Sequence, residues 1–141
     1  MSKLRIVIDT NVFLVSLAEH YKYHWIFRAL ISGKYDLCVS TEILLEYQEQ
    51  VALRYGLPNT DSTLDFLLNL RNVHLIIPHY RWNIIQKDED DNKFIDCAIA
   101  GNADFIVTDD KDFKILDSWK FPPMKRLRGD DFGELYKDKL G

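Results

Sequence analysis

The sequence predicts an α/β fold in which helices alternate with the strands of a parallel sheet. Short apolar runs typical of buried strands alternate along the chain with segments whose apolar residues recur at helical spacing. The first run, residues 4–8, is almost continuously apolar, as in a strand that a parallel sheet buries on both faces. The chain has 141 residues, the length of one ordinary domain, and no linker or internal repeat divides it. We therefore expect a single α/β domain.

The composition is that of a soluble globular protein. Hydrophobic residues make up 47% of the chain and charged residues 28%, and no apolar run approaches the roughly 18 residues of a membrane-spanning helix. The first residues lead directly into a strand without the apolar core of a signal peptide, so we expect a cytoplasmic protein. Cys38 and Cys97 are far apart and flanked by apolar residues, which predicts buried reduced thiols.

The overall charge is mildly acidic. A net charge of -4 and a pI near 5.5 argue against a protein whose whole surface binds nucleic acid. They do not exclude nuclease chemistry, because divalent cations bound in an acidic pocket reverse the local sign of the charge.

The first half of the chain predicts two strands and three helices. The first strand stops at Asp9, and a helix follows with Thr10 or Asn11 near its cap. Residues 21–31 alternate aromatic and basic side chains; we interpret them as an amphipathic helix that packs on the core or on a second subunit, in preference to a base-stacking surface. A second strand at residues 35–39 leads into a helix that carries Glu46 on its polar stripe.

The second half predicts two further helices and two further strands. A helix at residues 64–70 precedes a third strand at 73–77, and a polar segment at 81–91 forms a functional or mobile connection. The next helix is capped by Asp90, Asp91 or Asn92 and leads into a fourth strand at 105–108. A loop at 111–120 and a terminal unit at 125–140 complete the chain.

Acidic residues follow two of these strands. Asp9 ends the first strand, and Asp109, Asp110 and Asp112 come directly after the fourth. Because the carboxyl ends of parallel strands meet at one edge of a sheet, these acids can converge there. Glu46 can join them from its helix, and Asp96 can do so if its helix begins near that edge. Such crowded carboxylates need cations to offset their repulsion, which predicts Mg²⁺ or Mn²⁺; the four histidines and two cysteines form no zinc pattern.

Four sequence motifs lie at or near these acids. They are Asp9, Thr10, Asn11 and Val12 after the first strand, Glu46 within residues 40–47, Asp96 within residues 90–98, and Thr108, Asp109 and Asp110 after the fourth strand. They resemble the motifs of the PIN-domain family, and more narrowly those of the VapC-like toxins of bacterial toxin–antitoxin pairs, and they occur in the family's order over nearly the whole chain. One motif alone would be weak evidence, but four in order are specific.

The resemblance implies a fold, an activity and a set of site residues. It implies one PIN-like domain over residues 1–141, a three-layer α/β/α sandwich around a central parallel sheet of four or five strands. The implied activity is that of a metal-dependent endoribonuclease, the toxin of a toxin–antitoxin pair, which forms a homodimer and is covered by an antitoxin protein. The implied catalytic and metal-binding residues are Asp9, Glu46, Asp96 and Asp110, supported by Thr10, Asn11, Thr108, Asp109 and Asp112, with Mg²⁺ or Mn²⁺. Contacts to RNA are expected from Arg81, Lys87 and Lys93.

Some alternatives remain open at this point. Asp109 stands where such sequences commonly have glycine or a basic residue, so Asp109, Asp110 or Asp112 can complete the site. A PIN fold that binds RNA or protein without cleaving is the main alternative to an enzyme. Phosphotransfer folds also place acids at strand ends, but Asn11 replaces the second aspartate of the phosphatases, and Ile77 and Pro78 stand where receivers need an acceptor aspartate.

Overall fold

The computed structural model of the protein describes residues 3–56 and 64–141. Two 3₁₀ segments, Glu89–Asp91 and Lys111–Ser118, accompany the regular elements. In chain order those elements are β1 (Arg5–Ile8), α1 (Thr10–Ser16), α2 (His24–Ile31), β2 (Asp36–Val39), α3 (Thr41–Tyr55), α4 (residues 64–69), β3 (Val73–Leu75), α5 (Asn92–Ala100), β4 (Phe105–Val107), β5 (Arg126–Leu127) and α6 (Gly129–Leu140).

The strands form one parallel sheet of five strands in the order β3-β2-β1-β4-β5. Ile6 in the central strand lies opposite Leu37 of β2 and Phe105 of β4. Ile6 and the next two residues are at most 1% exposed, and successive strand residues point to opposite faces, so helices cover both faces of the sheet. The predicted α/β fold with a central parallel sheet of four or five strands is confirmed.

The helices pack around two aromatic centres. At the first centre, the stacked rings of Phe13 in α1 and Tyr47 in α3 have centroids 4.1 Å apart, and the Tyr47 hydroxyl donates a hydrogen bond to the Ile8 carbonyl. The other is Phe132 of α6, whose ring lies 5.0 Å from that of Trp25 in α2 and 5.6 Å from that of Phe105. Helix α5 packs on β1, β2 and β4. The hydrogen bond from Tyr47 anchors α3 to the carboxyl end of the central strand β1.

The order of the strands determines where a ligand can bind. The chain builds β1, β2 and β3 toward one side of the sheet, then returns to place β4 and β5 on the other side of β1. Between β1 and β4 the connections diverge, and this opens a crevice at the carboxyl edge, the usual ligand position in open α/β sheets. Asp9 and Asp110 follow the two strands that border it.

Several boundaries differ from the predicted ones. The cap of α1 is Asp9, whose Oδ1 accepts from the Val12 amide at 2.9 Å, and neither Thr10 nor Asn11 takes that role. The helix expected at 21–31 begins at His24, the third strand ends at Leu75, and the expected loop at 111–120 is largely 3₁₀. The strand β5 has only two residues, too few for a period to show in the sequence.

The connection at residues 81–91 is irregular but packed. Ile84 and Ile85 are 1% and 3% exposed, and the Asn92 side chain both accepts from the Ile85 amide at 2.8 Å and donates to its carbonyl at 2.7 Å. This pairing anchors the segment to the amino end of α5. The connection therefore forms part of the wall of the crevice.

The two cysteines are buried and free, as predicted. Within residues 3–56 and 64–141, every helix is too short or too polar to cross a bilayer.

Candidate active site

Four carboxylates meet in one cavity at the carboxyl edge. The cavity has a volume of about 190 Å³, and we call it the acidic cavity. Asp9 comes from the end of β1, Glu46 from α3, Asp91 from the turn before α5, and Asp110 from the segment after β4. Besides these four acids, its wall includes Thr10, Asn11 and Phe94. Three of the four acids are those expected from the sequence.

Asp9 is held in a fixed orientation at the base of this cavity. It is 5% exposed; its Oδ1 accepts from the Val12 amide, and its Oδ2 accepts from the Thr108 hydroxyl. Burial raises the pKa of Asp9 to about 6, although both hydrogen bonds act in the opposite direction. Nearby Asp109 and Asp110 add a smaller electrostatic contribution that also raises this pKa. The Asp9 carboxylate is thus held by two hydrogen bonds and largely desolvated, beside other acids.

Asp91 forms a tight acidic cluster with Asp110 and Asp112. One carboxylate oxygen from each residue lies within 4.8 Å of the others. The pKa of Asp91 is raised to about 7, chiefly by burial and also by repulsion from Asp110 and other acids. Its Oδ2 atom is buried, and no hydrogen-bond partner for it exists among the described residues. An oxygen in this state needs a proton or a cation.

Thr108 links the acids that follow the two central strands. Its hydroxyl donates to Asp9 and accepts from the Asp110 amide at 3.1 Å, while Asp110 Oδ1 accepts from the Asp112 amide at 2.9 Å. The supporting role expected of Thr108 thus corresponds to a specific pair of contacts. The Thr108 hydroxyl therefore ties the Asp9 carboxylate to the backbone of Asp110 just beyond the ends of β1 and β4.

Glu46 lies in the cavity with its charge already balanced. The Thr10 hydroxyl donates to its Oε2, and Lys93 Nζ lies 3.3 Å from its Oε1. The Lys93 side chain is only 9% exposed and also contacts Asp90, donating to its carbonyl at 3.0 Å. Lys93 is therefore an internal counterion of Glu46, which makes it a poor candidate for the RNA contact expected from the sequence.

Asp96 does not reach the acidic cavity, in contrast to the expected quartet. It lies five residues beyond Asp91, and five residues turn a helix by about 140°, so the two carboxylates leave α5 on different sides. Asp96 lines a separate cavity of about 290 Å³, where its Oδ1 accepts from the Trp82 amide at 3.1 Å. We call it the Asp96 cavity; its wall includes Ser40, Glu42, Arg81, Asn83, Lys93 and Asp96. Asp91 takes the place in the acidic cavity that the sequence interpretation gave to Asp96.

The signal for Asp91 was present in the sequence. Asp88, Asp90 and Asp91 precede the helix that leads into β4, and only the last of these directly adjoins its first residue, Asn92. The sequence analysis treated Asp90 and Asp91, together with Asn92, as capping candidates. Asp91 is the N-cap, yet its side chain makes no capping hydrogen bond and remains available for the cavity.

The three acids after β4 separate into different roles. Asp110 lines the acidic cavity, and Asp112 lies beside it in the cluster with Asp91. Asp109 faces away: its Oδ2 accepts from the Tyr23 hydroxyl and its Oδ1 from the Gly129 amide, each at 2.8 Å. Asp109 therefore joins the starts of α2 and α6 and does not contribute to the cavity.

The expected RNA-binding cations are also distributed differently. Arg81 is 3.7 Å from Glu42 at the rim of the Asp96 cavity. Lys87 instead lies in a groove of about 550 Å³ that also includes Asp112 of the acidic cluster. We call this the basic groove; its wall includes Ile85, Lys87, Lys111, Lys114, Ile115 and Trp119. Besides Lys93, which pairs with Glu46, positive charge near the acidic cavity thus comes from the three lysines of the basic groove, Lys87, Lys111 and Lys114.

Comparisons with known proteins agree with this architecture. A sequence model of the PIN domain matches residues 5–112, a range that includes all the acids of the cavity. The uncharacterized protein MJ1680 of Methanocaldococcus jannaschii is 36% identical over 115 residues, which cover 78% of this chain and 73% of that protein.

Two solved structures are similar in fold. One is the crystal structure of VapBC2 from Rickettsia felis bound to a DNA fragment from their promoter; the TM-score is 0.62 at 18% identity over 89% of this chain and 98% of that chain. The other is the structure of VapBC-1 from nontypeable Haemophilus influenzae, with a TM-score of 0.61 at 15% identity over 90% of this chain and 99% of that chain. At these identities the likeness establishes the fold. Since the PIN-domain match covers most of the sequence, the chain belongs to the PIN-domain family.

Proposed function

We propose that the protein is an endoribonuclease that hydrolyses RNA phosphodiester bonds with the help of Mg²⁺ or Mn²⁺ at the acidic cavity. Membership of the PIN-domain family supports a nuclease in general terms. The observation that carries the metal dependence is the buried Oδ2 of Asp91, which lacks a partner among the described residues and lies in a cluster of carboxylate oxygens. Hard divalent cations take such oxygens as ligands.

The donor set fits such a cation. Asp9, Asp91 and Asp110 supply acidic oxygens from three separate segments, and the hydrogen bonds to Asp9 fix its direction. The raised pKa values of Asp9 and Asp91 come chiefly from burial, with repulsion from neighbouring acids as a smaller cause, and a divalent cation bound there would favour the ionised form of both carboxyls. These three residues would hold the ion, with Asp112 adjacent. A bound cation supplies Lewis acidity, which lowers the pKa of the attacking water and offsets the charge of the phosphodiester.

Glu46 has a different role in this proposal. Because Lys93 and Thr10 already engage its two oxygens, Glu46 is less available as a direct ligand than the three aspartates. Its carboxylate orients a water molecule toward the phosphorus by accepting one of its hydrogens. Thr10 and Lys93 keep it in place and prevent it from turning toward the cation.

The basic groove supports RNA as the substrate. Among the residues that the structure describes, Lys87 and Lys111 form no ion pair, so both are available to phosphate groups. Lys114 lies in the same groove, and Trp119, which is 37% exposed, offers a face for base stacking. An RNA strand lying in this groove would bring its phosphate backbone close to Asp112 and the adjoining acidic cavity. The local positive charge thus counters the net charge of -4.

A protein partner is part of the proposal. The similar folds in the VapBC structures, one of them bound to a promoter DNA fragment, support the assignment of this chain as the toxin of a toxin–antitoxin pair. We propose that a cognate antitoxin covers the acidic cavity, that the chain forms a homodimer, and that the pair acts in the cytoplasm.

Cleavage assays test the proposed activity. Purified protein and a fluorescently labelled RNA are incubated with Mn²⁺, with Mg²⁺ or with EDTA, and the products are separated on denaturing gels. We expect cleavage with either cation, products that carry 5′-phosphate, and no cleavage in EDTA. RNA that is bound but left intact under all three conditions would instead indicate a PIN fold acting as a binding module.

Removing one acid of the cavity should change how stability depends on pH. The raised pKa means that the folded protein holds a proton on Asp91 at pH values where the unfolded chain has lost it. The free energy of unfolding therefore falls as the pH rises from the ordinary pKa of 3.8 to the raised value. In EDTA the free energy of unfolding should therefore fall between pH 4 and about 7. At pH 8, Asp91→Asn should unfold with a free energy about 1 kcal/mol higher than that of the wild type.

Urea unfolding with and without Mn²⁺ measures this effect. Mn²⁺ should stabilise the wild type more at pH 7.5 than at pH 5.5, because the carboxylates are then ionised, and should stabilise Asp91→Asn much less. Asp138→Asn, an exposed acid on α6, serves as the control and should behave like the wild type. Equal Mn²⁺ stabilisation of Asp91→Asn and the wild type would exclude Asp91 as a ligand.

A further inference from the structure

The Asp96 cavity lies beside the acidic cavity but has a different character. The two cavities flank the amino end of α5: Asp91 faces the acidic cavity, while Asp90, Asn92 and Lys93 line the other. Lys93 links them, since it contacts Glu46 in one wall and Asp90 in the other. A ligand in the Asp96 cavity is therefore adjacent to the proposed site of hydrolysis.

Asp96 presents an unused acceptor to this cavity. The residue is 7% exposed, and its Oδ1 accepts from the Trp82 amide at 3.1 Å. Among the described residues, none donates a hydrogen bond to its Oδ2. Solvent can reach this oxygen, because it is not among the buried polar atoms that lack a partner. It therefore offers a free acceptor to a ligand with N–H groups.

The remaining polar groups restrict the chemistry of that ligand. The cavity is lined by four acids and two bases, so it disfavours an anion such as free phosphate; they are Glu42, Glu89, Asp90 and Asp96, with Arg81 and Lys93. Arg81 is 79% exposed in its side chain and lies 3.7 Å from Glu42, so its guanidinium can reorient toward a ligand at the rim. A ring that has donors for Asp96 and acceptors for Arg81 satisfies both of these groups.

Guanine has such an edge. Its N1–H and N2–H₂ groups are neighbouring donors that can both hydrogen-bond to a carboxylate, and its O6 and N7 accept hydrogen bonds from arginine. Adenine and cytosine instead present an acceptor next to their amino group, and uracil places one N–H between two carbonyls. Either arrangement would direct a lone pair toward Asp96.

We propose that the Asp96 cavity binds an unpaired guanine of the RNA strand, with Asp96 Oδ2 accepting from the N1–H and N2–H₂ groups and Arg81 donating to O6 or N7. This inference rests on the proposed function, because it makes the cavity a base-recognition site for the RNA that is cleaved. Unpaired bases are the usual targets of sequence-specific RNA recognition, since duplex RNA hides their edges.

Aromatic side chains beside Arg81 support this assignment. Tyr80 is 63% exposed, and its ring centroid lies 4.4 Å from that of Trp82. Phe121, which is 77% exposed, has its ring centroid 6.4 Å from that of Trp82. An exposed aromatic cluster of this kind stacks unpaired bases in proteins that bind single strands, and here it can hold the nucleotides next to the guanine.

Two measurements test the inference, and the first does not depend on cleavage. Amide chemical shifts of Asn83 and Lys93 are followed by NMR while guanosine, inosine or adenosine 5′-monophosphate is added to the wild type and to Asp96→Asn. In Asp96→Asn the amide Oδ1 can still accept from Trp82, but the second position becomes a donor. We expect shifts with the guanine nucleotide, weaker shifts with inosine, which lacks the N2 amino group, and loss of both in Asp96→Asn.

The second measurement is cleavage with Mn²⁺ of single-stranded RNAs that contain guanine, inosine or adenine at one position and no other guanine. The wild type should prefer guanine over adenine by about 10-fold or more, and Asp96→Asn should lose this preference. Glu49→Gln, which removes an exposed acid from α3, is the control and should keep the preference.

The outcomes separate this inference from the proposed function. Cleavage with Mn²⁺ but without guanine preference or nucleotide shifts would overturn the guanine site and leave the nuclease intact. Guanine-specific shifts without metal-dependent cleavage would support the site and remove the proposed nuclease. Shifts of the same amides with arginine methyl ester but not with the guanine nucleotide would assign the cavity to a cationic side chain of a protein partner and overturn the inference.

Discussion

Asp91→Asn is expected to lower Mn²⁺-dependent RNA cleavage by at least about 100-fold, a larger loss than removal of a residue that only supports a metal ligand. The substitution keeps the size of the side chain but removes its negative charge. In the folded protein Asp91 carries a buried oxygen without a partner among the described residues, and it adjoins Asp110 and Asp112. Loss of this charge weakens binding of the cation and therefore the chemistry that depends on it.

The measurement is the cleavage rate at several Mn²⁺ concentrations. Asp110→Asn should show a similar loss, since both aspartates contribute to the same cluster. Part of the activity of Asp91→Asn should return at high Mn²⁺ concentration, which would distinguish weaker metal binding from misfolding. Glu49→Gln again serves as the control. If Asp91→Asn cleaved RNA normally while Asp96→Asn lost Mn²⁺-dependent cleavage, Asp96 would be the fourth acid of the site, as inferred from the sequence, and Asp91 would not.

Phe132→Ala is expected to destabilise the fold by about 3–5 kcal/mol. Phe132 is fully buried, and its ring packs against those of Trp25, Phe105 and Tyr136. Truncation would leave a cavity between α6, α2 and the sheet, which rigid aromatic neighbours cannot fill. Because Asp109 also attaches to the start of α6, a loosened helix would disturb the segment that holds Asp110.

Urea unfolding monitored by tryptophan fluorescence measures this cost. Leu135→Ala is a matched control on the same helix, because Leu135 is 56% exposed and its truncation should change stability by less than about 0.5 kcal/mol. Equal effects of the two substitutions would mean that α6 does not contribute to the core as described.

The parts of the site that lie next to strands were predictable from the sequence. Asp9 and Asp110 follow apolar runs that are buried in the sheet, and the parallel arrangement brings both strand ends to one edge. Glu46 follows from the helical spacing of α3, which starts at the same edge. For these residues, position along the chain determines position in the fold.

The choice between Asp91 and Asp96 could not be made in the same way. Which side of α5 faces the crevice depends on how that helix packs on β1, β2 and β4, a tertiary contact that the local sequence does not encode. The same holds for the cations: Lys93 and Arg81 resemble free RNA contacts in the sequence, but each lies within 4 Å of a glutamate in the folded protein. A two-residue strand such as β5 leaves no periodic pattern at all.

The double use of Asp9 determines how an inactive form of this protein should be made. One of its oxygens caps α1, and asparagine caps helices about as well as aspartate does, whereas alanine forfeits the cap at a cost of about 1 kcal/mol. Alanine at this position would therefore confound lost chemistry with a frayed helix beside the crevice. Asparagine separates the two, which makes it the appropriate replacement for trapping an intact RNA or for co-expression with a binding partner.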